Sequence, residues 1–470
     1  MSVVWTRKRV REAATNLNHK RPPVPEQIRR LPEVFGVSRE IPMTYQARDY
    51  VDGKFIDSLA RDKHLVVFGG SKQGKTCLRK HSLQPDDYVV VQCSNAMTSP
   101  QLYSTLLKEA GATVEVTEKR TTKGDQKLSV EFTASANIPF LSKGEGKFNA
   151  ARTSASEATT ERKHLEIDPA DPNDVIRVLQ AMKFTRFIVL EDFHYLAEDV
   201  QRQIAMDLKA FHEKSNLCFI VVGVWLESNR LVLYNGDLAG RLIPIDVDRW
   251  KTKDLVAIIT TGEALLNVNF ADDVKQAVID AAQGNVGILQ ETCYRLCEAR
   301  GATLTKDDLT LVGSTAEVAT IVKDLAREQA GRYQNFLTKF IEGFQRTDLE
   351  MYKWIAYVII SASTEDLKKG LRAFDIFTRM QQVHPYRERL LHNNVIQALR
   401  NVGKLQHLNR VQPVVLDFDS NENELRIVDS GFTLFLASHD KQQLKELIGL
   451  GVLPPRADAP ASSENLTFEI

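Results

Sequence analysis

Gly69-Gly70-Ser71-Lys72-Gln73-Gly74-Lys75-Thr76 is the stretch on which the reading of this chain turns. It satisfies the pattern G-x-x-x-x-G-K-[ST], follows the apolar run Leu65 to Phe68 and opens a segment of helical spacing. Each residue type in it suits a polyanion. The glycines let successive backbone N–H groups turn inward around one centre. The start of the following helix adds partial positive charge. Lys75 brings an ammonium toward the β- and γ-phosphates, and the Thr76 hydroxyl is a ligand for Mg²⁺. Gly69, Gly70, Ser71, Lys72, Gln73, Gly74, Lys75 and Thr76, with Cys77 directly after them, are the candidate nucleotide-binding residues.

Apolar runs recur downstream at Tyr88–Val91, Phe187–Leu190, Leu217–Val222 and Leu242–Val247. Short continuous runs separated by amphipathic segments predict a parallel sheet covered by helices on both faces, which is an α/β domain. The run at Phe187 ends in Glu191-Asp192. Two acids at the carboxyl edge of such a sheet lie where ligands bind. One carboxylate there can serve Mg²⁺, usually through water, and the other can polarise an attacking water. The plain alternative is a surface acid pair after a buried strand, and the phosphate loop weakens it.

Around this core the texture changes several times. Residues 1–45 read as a basic arm, with Arg7, Lys8, Arg9, Arg11, Lys20, Arg21, Arg29 and Arg30 against only Glu12 and Glu26 in the first thirty. The core is expected over 46–248. It is interrupted at about 112–170 by an insertion in which Lys127–Ile138 alternates with period two, predicting an antiparallel hairpin with a mobile flank. Three amphipathic segments, Lys253–Ala264, Ala271–Ala282 and Ile288–Ala299, predict a helical lid over 249–312. A helical linker is expected over 313–348 and a polar tail over 441–470. Between them, 349–440 reads as three helices (351–361, 373–381, 387–402) followed by two strands joined at Asp419–Asn423, the winged-helix plan.

Composition limits the alternatives. At 470 residues the chain calls for two or three domains. Lys+Arg and Asp+Glu balance at 61 each, so net charge points to no nucleic-acid partner and only local clusters can. No apolar run reaches the roughly eighteen residues that cross a membrane. The N-terminus lacks the apolar core of a secretion signal. The cysteines Cys77, Cys93, Cys218, Cys293 and Cys297 are scattered through apolar segments and read as thiols of a reducing compartment, so the cytoplasm is the expected location.

The motifs GGSKQGKT and FIVLEDFH, the strand Phe219–Gly223, the stretch Leu238-Ala239-Gly240-Arg241-Leu242 and the lid sequence Gly284-Asn285-Val286-Gly287 resemble the AAA+ and STAND branch of P-loop ATPases. With a winged helix after the lid, the order resembles initiator and origin-recognition proteins and several STAND signalling ATPases. The resemblance implies ATP and Mg²⁺ as ligands and ATP hydrolysis as the activity. Glu191 stands where the family has its Mg²⁺-associated aspartate and Asp192 where it has the catalytic glutamate, the two residue types being exchanged. Arg241 precedes a predicted strand, as the family's arginine finger often does; a surface or core-capping arginine is the competing reading. Two family features are missing. The end of the fourth strand reads Val222-Gly223-Val224-Trp225, with Glu227 and Asn229 as weak substitutes for its polar sensor, and Gly287 stands at the second-sensor position. A switch fits these departures better than a processive motor.

Arg379, Arg387, Arg389, Arg400, Lys404 and Arg410 crowd the predicted helices of the C-terminal unit with Glu388 the one acid among them; Arg387, Arg389, Arg400 and Lys404 are the candidate nucleic-acid contacts. The proposed wing carries Asp417, Asp419, Glu422, Glu424 and Asp429, which repel a DNA backbone, so docking of a protein competes with double-stranded DNA. Three functions are therefore expected in competition. One is an ATP-hydrolysing switch that assembles with copies of itself in the ATP state. Another is an initiator or transposition-type adaptor assembled on DNA, and the third is a nucleotide-binding scaffold with little turnover.

Overall fold

The structure, a computed structural model, describes residues 27–36, 40–116, 128–134, 161–345 and 347–454. The chain forms two units, Met1–Gly313 and Ser314–Ile470. In the first, helices α1 (Leu31–Val34) and α2 (Lys54–Leu59) precede β1 (His64–Phe68), α3 (Lys75–Ser82), β2 (Tyr88–Gln92) and α4 (Ser99–Glu109). Then come β3 (Thr113–Val116), β4 (Leu128–Ala134), β5 (Glu161–Ile167), α5 (Pro172–Ala181), β6 (Phe187–Glu191) and α6 (Glu198–Lys214). β7 (Phe219–Gly223), α7 (Arg230–Tyr234) and β8 (Leu242–Asp246) complete this part.

Five of these strands form one parallel sheet in the order β2-β6-β7-β1-β8, the α/β class expected. Strands β1 and β7 are buried along their whole length, which is why HLVVF and FIVVG carry almost no polar side chain. The polar exception is His64. Its Nδ1 accepts the Phe219 amide at 3.1 Å and its Nε2 lies 2.9 Å from the Leu208 carbonyl, so the neutral ring is fully used. Burial lowers its pKa from 6.5 to about 4. The unfolded chain takes up this proton at 6.5 and the folded chain only near 4, so stability present above 6.5 is lost as the pH falls through that window. The expected loss is about 3 kcal/mol. Urea titrations at pH 7 and pH 4.5 check it: His64→Gln should show the smaller difference between the two.

The insertion is larger than the hairpin expected. β3, β4 and β5 form a three-stranded antiparallel sheet, β4 in the middle, with Thr113 opposite Glu131 and Leu128 opposite Ile167. The alternation does put Leu128, Val130 and Phe132 on a buried face, packed with Leu102, Leu106 and Val175 of the main core. Most of the flank expected at 143–163 lies outside the described residues.

Past the sheet, α8 (Thr252–Leu266), α9 (Asp272–Ala282) and α10 (Val286–Ala299) are the three helices expected, with β9 (Val268–Asn269) and β10 (Thr310–Leu311) pairing in parallel beside them. The arm requires correction at its inner end. Leu31, Val34 and Phe35 are buried, and the Phe35 ring occupies the space beside Gly262 on α8. The Leu31 amide donates to the Thr303 carbonyl at 2.9 Å, and Gln290 on α10 donates to Thr44 Oγ1 at 2.9 Å. Charge hid this strap: its apolar residues sit at i, i+3 and i+4, the spacing of one helical face. The residues before 27 lie outside the described ones, including Arg7, Lys8, Arg9, Arg11, Lys20 and Arg21.

The second unit contains α11 (Thr315–Glu328), α12 (Ala330–Glu342), α13 (Met351–Ser361), α14 (Thr364–Lys369), β11 (Leu371–Arg372), α15 (Ala373–Val383), α16 (His392–Arg400) and α17 (Val402–Leu408). The hairpin β12 (Leu416–Asp419) and β13 (Glu424–Ile427) follows, then α18 (Ser430–Ser438) and α19 (Lys441–Leu447). The short antiparallel sheet runs β11-β13-β12. Two expectations fail here. The stretch 315–342 is no linker, because Tyr333, Phe336 and Phe340 enter the same core as Phe432 and Phe435. The tail also joins that core through Leu444, Ile448 and Leu450; residues 455–470 lie outside the described ones.

Candidate functional site

Parallel pairing places every carboxyl end of the sheet at one edge. Phe68 is level with Gly223 and Asp246, and Gln92 with Glu191. The glycine loop begins at this edge. It turns through positive φ at Gly69 (148°), Lys72 (59°) and Gly74 (87°). A Cβ on Gly69 would lie 2.6 Å from Asp248 Oδ1, so a side chain is excluded there on two grounds. Gly74 hands the chain to α3, whose first residues are Lys75 and Thr76, so the free N–H groups of the helix start face the loop.

Lys75 is half-buried, and its ammonium donates to the carbonyls of Gly69 and Gly70 at 3.0 and 2.6 Å. Burial lowers its pKa to about 8, an effect opposed by Asp248, Asp192 and Glu191. A cation held in this way favours an incoming polyanion, since phosphate oxygens would replace neutral carbonyls as its partners.

Glu191 belongs to a strand one removed from β1, because β7 lies between them. It still reaches the loop's helix. Thr76 Oγ1 donates to Glu191 Oε1 at 2.9 Å, and Arg79 Nε lies 3.2 Å from Oε2. Two hard oxygen donors are thus side by side, a donor set that fits Mg²⁺ shared with phosphate and water. Arg79 is buried, with its guanidinium over the Tyr88 ring, and holds the second oxygen of Glu191 in place. Asp192 follows in the left-handed region at φ 56°, a conformation that aspartate tolerates better than most residues. This backbone accounts for the shorter acid at the second position. Burial, and then the neighbouring Glu191 charge, raise the pKa of Asp192, while a hydrogen bond from Gln92 Nε2 to Oδ2 at 2.6 Å lowers it.

Gln92 and Arg79 had no motif to mark them; each acquires a role only from the strand order. We expect Gln92→Ala to move the acid limb of a pH–rate profile upward, because the bond that lowers the pKa of Asp192 is gone. Turnover at neutral pH should change by less than ~10-fold, as befits one hydrogen bond of ~1 kcal/mol. A profile unmoved by the substitution would mean that Asp192 is not the titrating group.

The end of β7 is apolar for a structural reason. The Trp225 ring folds back over Gly223, 1.6 Å from where a Cβ would be, and fills the place a polar side chain could take. His194 lies beside it: its Nδ1 accepts the Val224 amide at 3.2 Å, and burial lowers its pKa to about 3. Glu227 pairs with Arg230 at 3.5 Å. Gly287 sits against the loop, where a Cβ would come within 2.9 Å of Lys72 Cβ, and the neighbouring Asn285 donates to the Ser71 carbonyl at 3.0 Å. The start of α10 thus meets the loop through small and amide-bearing residues.

Arg241 is placed elsewhere. His64 is level with Leu242, so Arg241 lies at the amino edge, a strand length (~16 Å) from the loop of its own chain. It pairs with Glu213 at 2.8 Å and donates to the Asp237 carbonyl. The C-terminal arginines are dispersed too. The helix expected over 387–402 breaks into a 3₁₀ turn at Arg387–Arg389 and α16, since Asn394 caps the second start by accepting the Leu391 amide at 2.9 Å, and α17 follows from Val402. Arg387 pairs with Glu388 and Arg389 with Asp348, at 3.2 and 3.0 Å. Arg400 and Lys404 are exposed on successive helices.

All five cysteines are free thiols, no described helix is long and apolar enough to cross a membrane, and no described cluster of three metal-binding side chains exists. No protein family and no curated protein matches the chain. Among solved structures it is similar to the Walker-type ATPase PABY2304 of Pyrococcus abyssi, at 13 % identity and a TM-score of 0.50, over 86 % of this chain and 99 % of that one. It is also similar to Aeropyrum pernix Orc1 in complex with DNA, at 10 % identity and a TM-score of 0.40, over 89 % of this chain and 97 % of that one. Cdc6p of Pyrobaculum aerophilum matches at 13 % identity and a TM-score of 0.35, over 89 % and 98 %. The last two scores are too low to carry weight. The first establishes the path of the backbone and nothing narrower: this chain has the fold of a Walker-type P-loop ATPase.

Proposed function

We propose that the chain binds and hydrolyses ATP as a molecular switch of the AAA+/STAND kind. One observation carries this reading: Thr76 and Glu191 share a hydrogen bond of 2.9 Å at the sheet edge where Lys75 and Asp192 also lie. The amides of Gly69–Thr76 and the Lys75 ammonium would hold the phosphates. Thr76 and Glu191 would hold Mg²⁺, which supplies charge neutralisation at the β- and γ-oxygens. Asp192 would accept the proton of the attacking water, and the burial that raises its pKa makes it a stronger base than an exposed aspartate. The apolar end of β7 and Gly287 remove two groups that would hurry the transition state, which favours a slow cycle. Arg241, out of reach of its own loop, would act on a second copy, so assembly in the ATP state belongs to the same reading. The second unit, read as a winged helix, would move with the nucleotide state. The test is phosphate release from ATP with Mg²⁺, with and without EDTA, alongside mass measurement with a slowly hydrolysed analogue. Background release at every protein concentration would leave the scaffold reading instead.

A second reading, assembly on double-stranded DNA, is favoured by exposed Arg400 and Lys404 on adjoining helices and opposed by the acidic hairpin around Asp419 and Glu422. Duplex affinity that falls with salt and is lost on neutralising Arg400 and Lys404 would support it.

A further inference from the structure

The segment from Asp246 to Lys251 joins the sheet to the first lid helix, and it is gripped from two sides. On one side the Phe68 carbonyl accepts the Val247 amide at 3.0 Å. On the same side the Gly70 amide lies 2.8 Å from both carboxylate oxygens of Asp248. On the other side buried Arg48 donates to the carbonyls of Val247 and Arg249 at 2.9 and 3.0 Å, and its guanidinium stacks 3.7 Å above the Trp250 ring. Asp248 is therefore a half-buried acid outside the proposed chemistry that touches the phosphate loop directly and sits in the stretch leading from β8 to α8.

We propose that Asp248 is a positioning residue that transmits occupation of the glycine loop to the sheet–lid connector. This rests on the reading of Gly69–Thr76 as a phosphate site. The Lys75 ammonium is bonded to the carbonyls of Gly69 and Gly70, and the first of these belongs to the peptide unit whose N–H Asp248 holds. A phosphate that draws Lys75 forward frees both carbonyls and weakens the pull of that cation on Asp248. Gly70 and Asp248 then shift together, and the connector with them. The charged groups that face Asp248 are Lys75 from the loop helix, Arg48 from the segment before the sheet and Asp246 from its own strand. Its carboxyl is pushed up to about 6, mainly by burial and against the Gly70 amide and Lys75. Withdrawal of Lys75 raises its proton affinity further, so ATP binding at pH 6.5 should take up a proton.

The experiment uses the full chain and ATP with Mg²⁺. Hydrogen exchange of residues 247–266 is followed with and without nucleotide, and binding heats at pH 6.5 are taken in two buffers of different ionisation enthalpy. The natural chain should bind ATP, slow exchange in the connector by about 5–150-fold and show proton uptake. Asp248→Ala and Asp248→Asn should bind within ~10-fold of it and lose most of both responses. If either variant keeps the full exchange response, or takes up as many protons as the natural chain, the inference fails while the phosphate site stands. A folded Asp248→Ala chain that binds no ATP overturns it too, since the acid would then only build the loop. Should that variant not fold, Asp248→Asn, which keeps one acceptor oxygen, decides alone. If the natural chain binds no ATP, the phosphate-site reading itself falls and the inference with it.

Discussion

Asp192→Asn should stop turnover and leave the nucleotide bound. The amide tolerates the left-handed backbone at φ 56° as well as the acid does and can still meet Gln92, so the fold and the loop are undisturbed. What it loses is the capacity to accept a proton. The expected fall in phosphate release is ~10²–10⁴-fold, the range for removing a general base, with ATP affinity within ~3-fold of the natural chain, since no phosphate contact is altered. Single-turnover release and binding of a fluorescent ATP analogue separate the two quantities. Equal turnover in the variant would move the base to another group, and Glu191 would be next to test, although its two oxygens are engaged by Thr76 and Arg79.

Lys75→Ala should act on binding first. A charge-assisted bond is worth about 1.5–3 kcal/mol, which puts the expected weakening at ~10–150-fold, and turnover should fall by a further ~10²-fold because the same ammonium would neutralise charge that develops during transfer. Thermal stability should not fall, since removing Lys75 also removes the cost of a cation whose pKa burial has lowered to about 8. Lys75→Arg should not restore the natural rate, as a planar fork cannot take the place of a compact ammonium within the loop. Normal hydrolysis by Lys75→Ala would refute the site.

How much of this was legible in the sequence depended on how local each feature is. The loop, the strands flanking it and the acids after Leu190 were readable because residue type, spacing and position along the chain all agreed. The outer strand β5 was not, because ERKHLEI at a sheet edge carries too many charges for its alternation to stand out. Arg387, Arg389, Arg400 and Lys404 crowd one short stretch of sequence but lie on a turn and two helices. Gln92, Arg79 and Asp248 were invisible for a different reason: each finds its partner only after strands 100 or more residues apart are laid side by side. The strap at 31–44 failed to register because a surrounding excess of arginine masked three well-spaced apolar residues.

That strap changes the mechanics of the lid. The chain crosses between lid and sheet twice, through residues 45–50 and again through 247–251, and Arg48 rivets the two crossings together. A body attached at one point can swivel freely, whereas one attached along a seam can only tilt about it. The helices from Thr252 to Ala299 are thus joined to the sheet along a seam beside the glycine loop, and any tilt about it would become a displacement that grows with distance from the seam.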